Sequence, residues 1–461
     1  MENWPIHKIY VYIALIIGIL FVFITPPFQS PDEDSHFKKS YQISKGHLYP
    51  QKKDNKIGNY FPEEMIKYIS EKNSYMSQMD KKYSYNEMFV EQYGQMDYNK
   101  KVFHNYSTIT VMPLVYIAPA LGIISSKIFA HVLGIKMVST VYMLYFARIF
   151  SLILAIFLTA CAIKITPVMK KTFLVVSLIP MTLFLNSMVS YDSVLIPSSL
   201  LALAIILDVS YSKKKIETKD IIILSLIGTV LLNVKTVYFL LYILMFIIPV
   251  KKFGNKKDKI KTALKIVGLI LLLTLIIQLP TYLHNLVKTD SLAKQQLSFI
   301  LINPFKYFGI LLQSIVGQRS FYINTTIGSF GLIDTYLPIA VLPLIAINLL
   351  ILGIAEGSIE KIKIGKWMKI FVIIFVIFCT IGIYTALYIV WTPQIAGKIG
   401  SNEITGVQGR YFLPLIMPLL LLFCNIRIKD NKFFKIVRDN YLLIPIISLV
   451  VSLCMVFMRF W

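Results

Sequence analysis

The hexapeptide Pro31-Asp32-Glu33-Asp34-Ser35-His36 sets three carboxylates beside an imidazole. Ionised carboxylates this close repel one another, which raises at least one pKa unless a cation or hydrogen-bond donors compensate. Such a cluster suits a general base at Asp32 or Glu33, or a hard divalent cation, Mg or Mn, held by Asp32, Glu33 and His36. The plainer alternative is a solvated loop start in which an Asp caps a short helix. Asp192, in Ser190-Tyr191-Asp192-Ser193, offers a further carboxylate from a distant part of the chain. It either approaches the first cluster or caps the helix that it precedes.

Cations accompany these acids. Lys235 stands alone in Asn233-Val234-Lys235-Thr236-Val237-Tyr238, and Arg410 lies in Gly406-Val407-Gln408-Gly409-Arg410-Tyr411-Phe412-Leu413-Pro414. The glycines beside Arg410 let a ligand approach the backbone and favour anion binding there. Arg319, after Gln318, reads by default as snorkelling toward lipid headgroups. Arg148 falls inside an apolar run, where an arginine must face protein or water. His104 and His284 have no ligand-like spacing. The sequence contains no Walker loop, dinucleotide fingerprint, HExxH or nucleophile elbow, so nucleotide binding and serine or zinc hydrolysis lack support.

The elements that position these residues must work in lipid. Of 461 residues 56% are hydrophobic, beyond what a soluble domain can cover with polar groups. The net charge of +23 sits in short clusters between apolar runs instead of on one folded face, which argues against nucleic acid and for the lysine bias of cytoplasmic loops. Cys161, Cys379, Cys424 and Cys454 all fall in apolar runs and imply no disulfide framework.

The first apolar run is followed by Pro26-Pro27-Phe28 instead of a small-x-small cleavage site, so it is expected to stay as a helix. The stretch Thr108 to Ser126 is just long enough to cross, but crossing would move the clusters at Lys164 to Lys171, Lys213 to Lys215 and Lys251 to Lys265 outside. Pro113 and Pro119 suit short interfacial helices there. The expected fold class is therefore all-α integral membrane, with about eleven transmembrane helices and a cytoplasmic N-terminus. The spans are placed near residues 9–25, 138–163, 172–188, 193–210, 221–234, 236–250, 264–282, 338–354, 369–390, 409–425 and 441–460. The whole chain, 1–461, reads as one transmembrane domain. A first extracytoplasmic loop, 26–137, carries cap and interfacial helices and eleven of the 24 acidic residues, and a second large loop covers 281–337.

Taken together, Pro31-Asp32-Glu33 with His36, Ser190-Tyr191-Asp192, Lys235 with Tyr238, Phe330-Gly331-Leu332-Ile333-Asp334 and Gly406 to Pro414 resemble a bacterial family of multi-spanning membrane proteins. That family is catalogued as a domain of unknown function and is similar to the GT-C superfamily of glycosyltransferases. The resemblance implies an enzyme of the bacterial cytoplasmic membrane that works on its extracytoplasmic side. It would take a sugar from a polyprenyl-phosphate carrier and pass it to a cell-envelope polymer or lipid. It assigns Asp32 or Glu33 as catalytic base, Asp192 and His36 to the acceptor, and Arg410, Lys235 and Arg319 to the donor phosphate. A divalent cation at the acidic cluster is compatible with this chemistry but not required. Two other functions use the same residues: a flippase that grips lipid-linked sugar without cleaving it, and a scaffold that docks on the acidic loop.

Overall fold

The computed structural model describes residues 4–461 other than 55, 76–77, 87–98, 136–137, 284–290, 427 and 429. His284 lies outside the described residues. Helix α1 (Ile6–Ile24) is apolar all round. Tyr10, Ala14 and Phe21 face the protein, while Leu15, Ile16 and Leu20 lie on the outside, the pattern of a helix that meets hydrocarbon instead of water. The chain then turns at Pro26 and Pro27 into α2 (Glu33–Ser44), passes through α3 (Glu63–Ser74) and an antiparallel three-stranded sheet, β1 (Gln51–Lys53), β2 (Lys56–Pro62) and β3 (Lys101–His104), and reaches α4 (Ile117–Val132).

The order continues with α5 (Thr140–Ile165), the short pair α6 (Lys170–Ser177) and α7 (Pro180–Asn186), α8 (Asp192–Tyr211), α9 (Thr218–Val234), a 3-10 helix (Thr236–Ile247) and α10 (Lys256–Leu283). Then come α11 (Ser291–Ile302), α12 (Pro304–Gly317), α13 (Arg319–Ile327) and a two-stranded hairpin of β4 (Ser329–Phe330) and β5 (Thr335–Tyr336). The last elements are α14 (Val341–Gly357), α15 (Lys366–Val390), α16 (Thr392–Ala396), a 3-10 turn (Gly409–Phe412), α17 (Leu413–Leu420), α18 (Lys432–Asp439) and α19 (Leu443–Phe460).

Among the described residues, seven helices are long and apolar enough to cross a membrane: α1, Pro113–Val132, α5, α8, α10, α15 and α19. The expected count of about eleven is not reproduced by long helices. The run expected at 172–188 is broken at Pro180, that at 236–250 is 3-10, and that at 409–425 is divided between 3-10 and α geometry around Pro414 and Pro418. Between 291 and 317, where a loop was expected, α11 and α12 form an apolar pair bent by 106° at Asn303-Pro304.

Pro113–Val132 qualifies by length, yet its neighbours show that it does not carry the chain across. Helices α1 and α5 run antiparallel: Gly18 packs on Leu152, the Arg148 guanidinium reaches the carbonyls of Val22 and Thr25, and Lys164 lies near His7. The segment between them must then begin and end at one face of the bundle, as the proline and charge argument expected.

The basic clusters gather at the other face. Lys8, Lys164 and Lys170 surround His7, and the Lys171 ammonium donates to the Arg438 carbonyl at 2.7 Å. Buried Glu356 accepts from the Lys171 and Thr172 amides and so caps the start of α6 from another helix. Asn425 bonds the Glu360 carbonyl, Tyr211 accepts from the Gly365 amide, and Lys252 ties down Ser212 and Lys214. One face thus collects the lysines of five separate connections, and the acidic motif lies at the opposite face.

This polarity is testable in intact cells. Ser107 is exposed near the last turns of α10, where it shares a cavity with Gln278 and Thr281, and exposed Asn255 lies just before its first turn. The helix between them is roughly 40 Å long. On a background lacking the four native cysteines, Ser107→Cys and Asn255→Cys are expected to react with a membrane-impermeant thiol reagent from opposite sides, with Ser107→Cys reacting first. Labelling of both without permeabilisation would refute the arrangement.

Candidate functional site

Helix α2 begins directly after a left-handed residue. Asp32 has φ of +60°, a conformation that Asp tolerates better than most non-glycine residues, and this reversal points its side chain and that of Glu33 in different directions. The two neighbouring carboxylates consequently have separate fates.

Glu33 turns inward. Its carboxylate meets the Arg148 guanidinium at 2.6 and 2.8 Å, and both side chains are wholly buried. The remaining Arg148 donors reach the carbonyls of Val22, Thr25 and Pro26, and Glu33 also accepts from the Val189 amide at 3.1 Å. All five guanidinium N–H groups therefore have acceptors, the condition under which a buried ion pair is tolerable. This is the partner that Arg148 needed inside its apolar run. It removes Glu33 from the open cleft, so the general-base expectation rests on Asp32.

Asp32 stays half exposed. Its carboxylate does not cap α2 but accepts from Arg410 at 2.8 Å. Asp192, the first residue of α8, likewise makes no helix cap. It faces the Lys235 ammonium at 3.4 Å and the other Arg410 terminal nitrogen at 3.8 Å. Lys235, at the joint between α9 and the 3-10 helix, is brought there because α9 ends at Val234 and the backbone turns extended. Its ammonium lies over the rings of Tyr411 at 3.9 Å and Tyr191 at 5.0 Å. Two carboxylates and two cations from four distant stretches thus form one cluster. Among the described residues, Arg410 Nε and Asp192 Oδ2 within it are buried without a hydrogen-bond partner, although Oδ2 feels the Arg410 charge at 3.8 Å.

The electrostatics follow from this packing. Burial works against ionisation of Asp32, but Arg410, His36 and Lys235 outweigh it and hold its pKa below the usual carboxylate value. Burial pushes the His36 imidazole down to about 4 against the pull of Asp32 and Asp192, so it is neutral at pH 7. Its Nδ1 shares a proton with the Tyr116 hydroxyl at 2.7 Å, and its ring stands edge-on to Tyr191. Burial likewise lowers Lys235 to about 8.

A divalent cation fits these residues poorly. Glu33 is committed to Arg148, the space beside Asp32 and Asp192 is taken by Arg410 and Lys235, and among the described residues no group of three His, Cys, Asp or Glu side chains is placed to hold a metal. Asp34 pairs with Lys38 one turn along α2. Arg319 is exposed at the start of α13, about two turns before Thr326, and no contact among the described residues joins it to the cluster.

The glycine beside Arg410 has a different purpose from the one expected. A Cβ at Gly409 would meet the Tyr322 carbonyl at 2.0 Å and the Thr326 amide at 2.4 Å, so the close approach is by α13 and not by a ligand. The Gly409 amide donates to Thr325 and its carbonyl accepts from Thr326, which fixes the backbone that carries Arg410. Sequence reasoning assigned no role to the aromatic lining: Tyr116, which no motif included, and Tyr191 and Tyr411, with Tyr238 donating to the Tyr411 carbonyl. Tyr191 and Tyr411 adjoin residues already singled out, and that adjacency was the available signal.

With this geometry in hand, the family described as "Predicted membrane protein (DUF2142)" matches residues 15–419. The chain belongs to that family. The match spans Asp32, His36, Asp192, Lys235 and Arg410 and stops within α17. No curated protein and no solved structure matches the chain.

Since Arg148 and Glu33 lie in the interior and not in the cleft, their loss is expected to cost stability first. Arg148→Met or Glu33→Gln strands a buried partner and should destabilise the fold by roughly 3 to 5 kcal/mol. A clear drop in the unfolding temperature of purified protein in detergent would register this. Asp32→Asn, which the left-handed position accepts at a half-exposed side chain, should lower that temperature by less than either of these substitutions.

Proposed function

We propose that the chain is a GT-C-type glycosyltransferase that moves a sugar from a polyprenyl-phosphate carrier to a hydroxyl of a cell-envelope polymer or lipid. The observation that carries this reading is the half-exposed Asp32 carboxylate on a buried Arg410 whose Nε has no hydrogen-bond partner among the described residues. A base and an anion holder then stand side by side at the mouth of a membrane domain. An apolar cleft of about 580 Å³ begins at Phe412, two residues beyond Arg410, and follows α17 to Phe423 between Leu349, Leu350 and Ile323. Such a cleft, roughly 16 Å long and open toward exposed Ile323 and Leu419, suits a polyprenyl chain whose phosphate rests on Arg410. In this reading the membrane is a bacterial cytoplasmic one, the lysine-rich face is the cytoplasmic face by the positive-inside bias, and the cluster works on the extracytoplasmic side.

In this mechanism the carrier phosphate takes the Arg410 Nε and terminal nitrogens and draws them from Asp32. Relieved of its cation, Asp32 becomes a stronger base and accepts the proton of the acceptor hydroxyl. The acceptor oxygen bonds to the anomeric carbon as the carbon–oxygen bond to phosphate breaks, and the electron pair leaves with the phosphate. Arg410 and Lys235 balance the charge that grows there, while Asp192 holds both cations in place. His36, neutral and tied to Tyr116, offers the acceptor a polar wall without adding charge.

Single-turnover transfer from a polyprenyl-phosphate sugar, followed by product analysis, tests this and separates it from a flippase, which leaves the carrier–sugar bond intact. Asp32→Asn is expected to lose at least about a hundredfold in rate with donor binding preserved. Arg410→Lys should restore only part of what Arg410→Ala removes, up to roughly 3 to 4 kcal/mol, because one ammonium cannot span both carboxylates and the phosphate. Normal rates in all three variants would refute the assignment.

The pH profile is a separate test. Asp32 and His36 both change protonation only at acid pH, below neutrality by a wide margin, so kcat/KM should show no acid limb between pH 5 and 7. The Lys235 cation is populated below about pH 8, so a basic limb is expected there. Lys235→Arg, which stays charged, should move that limb upward.

A further inference from the structure

A second cavity, of about 990 Å³, shares no lining residue with the apolar cleft and lies beside residues that neighbour the cluster. Its wall on α10 consists of Leu271, Thr274, Leu275, Gln278 and Thr281, spaced three and four apart and so on one helix face. Polarity rises along that face toward the end where Ser107 lies. The neighbouring face of α10, at Leu272, Ile276 and Leu279, is exposed apolar surface of a candidate span, so the cavity has hydrocarbon beside it. No Asp, Glu, Lys, Arg or His lines the cavity among the described residues. Its polar groups are amides and hydroxyls: Gln278 donates to Asn233 at 3.2 Å, and Asn233 donates to Thr274 at 2.8 Å. The polar end abuts the charged cluster through two links. Ser107 donates to Ser35, next to His36, at 3.0 Å, and Asn233 is two residues from Lys235.

We propose that this cavity binds a membrane lipid with an uncharged, hydroxyl-bearing headgroup, a glycolipid, which enters sideways from the bilayer and presents a hydroxyl to Asp32. Its role as acceptor rests on the transferase reading, but its binding does not. Amides and hydroxyls match sugar hydroxyls in kind, whereas none of the described lining residues is a cation that would draw an anionic phospholipid headgroup. The apolar lower wall at Leu271, Leu275 and Leu232 takes the upper part of the acyl chains. This narrows the acceptor from polymer or lipid to lipid. It also gives the two substrates separate approaches, the donor along α17 and the acceptor along α10.

The test uses the full chain in phosphatidylcholine nanodiscs doped with either diglucosyldiacylglycerol or phosphatidylglycerol, with retained lipid measured by native mass spectrometry. Wild type is expected to retain the glycolipid at least about tenfold more than phosphatidylglycerol. Gln278→Leu and Asn233→Leu should each lose about five- to tenfold of that retention, the scale of a lost hydrogen bond, while polyprenyl phosphate is retained as before. Asp32→Asn should retain glycolipid normally. Equal retention of the two lipids by wild type, or unchanged retention in both cavity variants, would overturn the proposal. So would a soluble diglucoside that competes as strongly as the lipid. Glycolipid retained but never glycosylated would leave the binding site standing and defeat the transferase reading alone.

Discussion

The buried pair of Arg148 and Glu33 is the constraint on which the rest of the site depends. A charge in this interior is tolerable only when every donor and acceptor is matched, and Arg148 meets that condition by gathering the last carbonyls of α1, the first carboxylate of α2 and, through Glu33, the Val189 amide before α8. Three elements are thereby fixed around one guanidinium. Asp32, one residue before Glu33, inherits its position from that junction, and Asp192, three residues after Val189, inherits its own. The exposed chemistry is held rigidly because the buried chemistry beneath it admits a single arrangement.

The same logic explains how much was legible in the sequence. Apolar runs and lysine clusters gave the polarity of the bundle, because each is a local property that lipid and solvent enforce directly. The basic connections do collect at one face. Segment 26–139 does start and end at the other. What the sequence concealed was pairing. Glu33 and Asp32 look equivalent in a row of acids, and only the left-handed turn at Asp32 separates an anchor from a candidate base. The partner of Arg148 lies 115 residues away, beyond any periodic pattern. Gly409 read as a place for a ligand because a glycine is equally necessary for a ligand and for a neighbouring backbone, and α13 turned out to be that neighbour. Arg319 looked like its fellow cations, yet the turn at Gln318 leaves it exposed.

The broken segments deserve the same reading. Prolines at 180, 304 and 414 stand at the starts of helices that would otherwise be counted as parts of single spans, and the break at 409–413 carries Arg410 of the cluster. A continuous helix at 409–423 would direct Arg410 along its own face. The 3-10 turn, pinned to α13 by Thr325 and Thr326, directs it toward Asp32 and Asp192 instead. Irregular backbone is tolerated at this depth only where protein surrounds it, and Arg410 is buried accordingly.

The 115-residue separation of Glu33 from Arg148 also has a consequence for biogenesis. Translation at about 5 to 20 residues per second brings Arg148 out on the order of ten seconds after Glu33. During that interval the carboxylate has no counter-charge and must stay hydrated, so the turn after α1 cannot settle into its final place while the first loop is being made. Delivery of α5 neutralises it and lets both groups leave water together. The first hydrophobic segment is thus inserted before its buried partner exists, and assembly of the end that carries the acidic cluster waits on a single arginine.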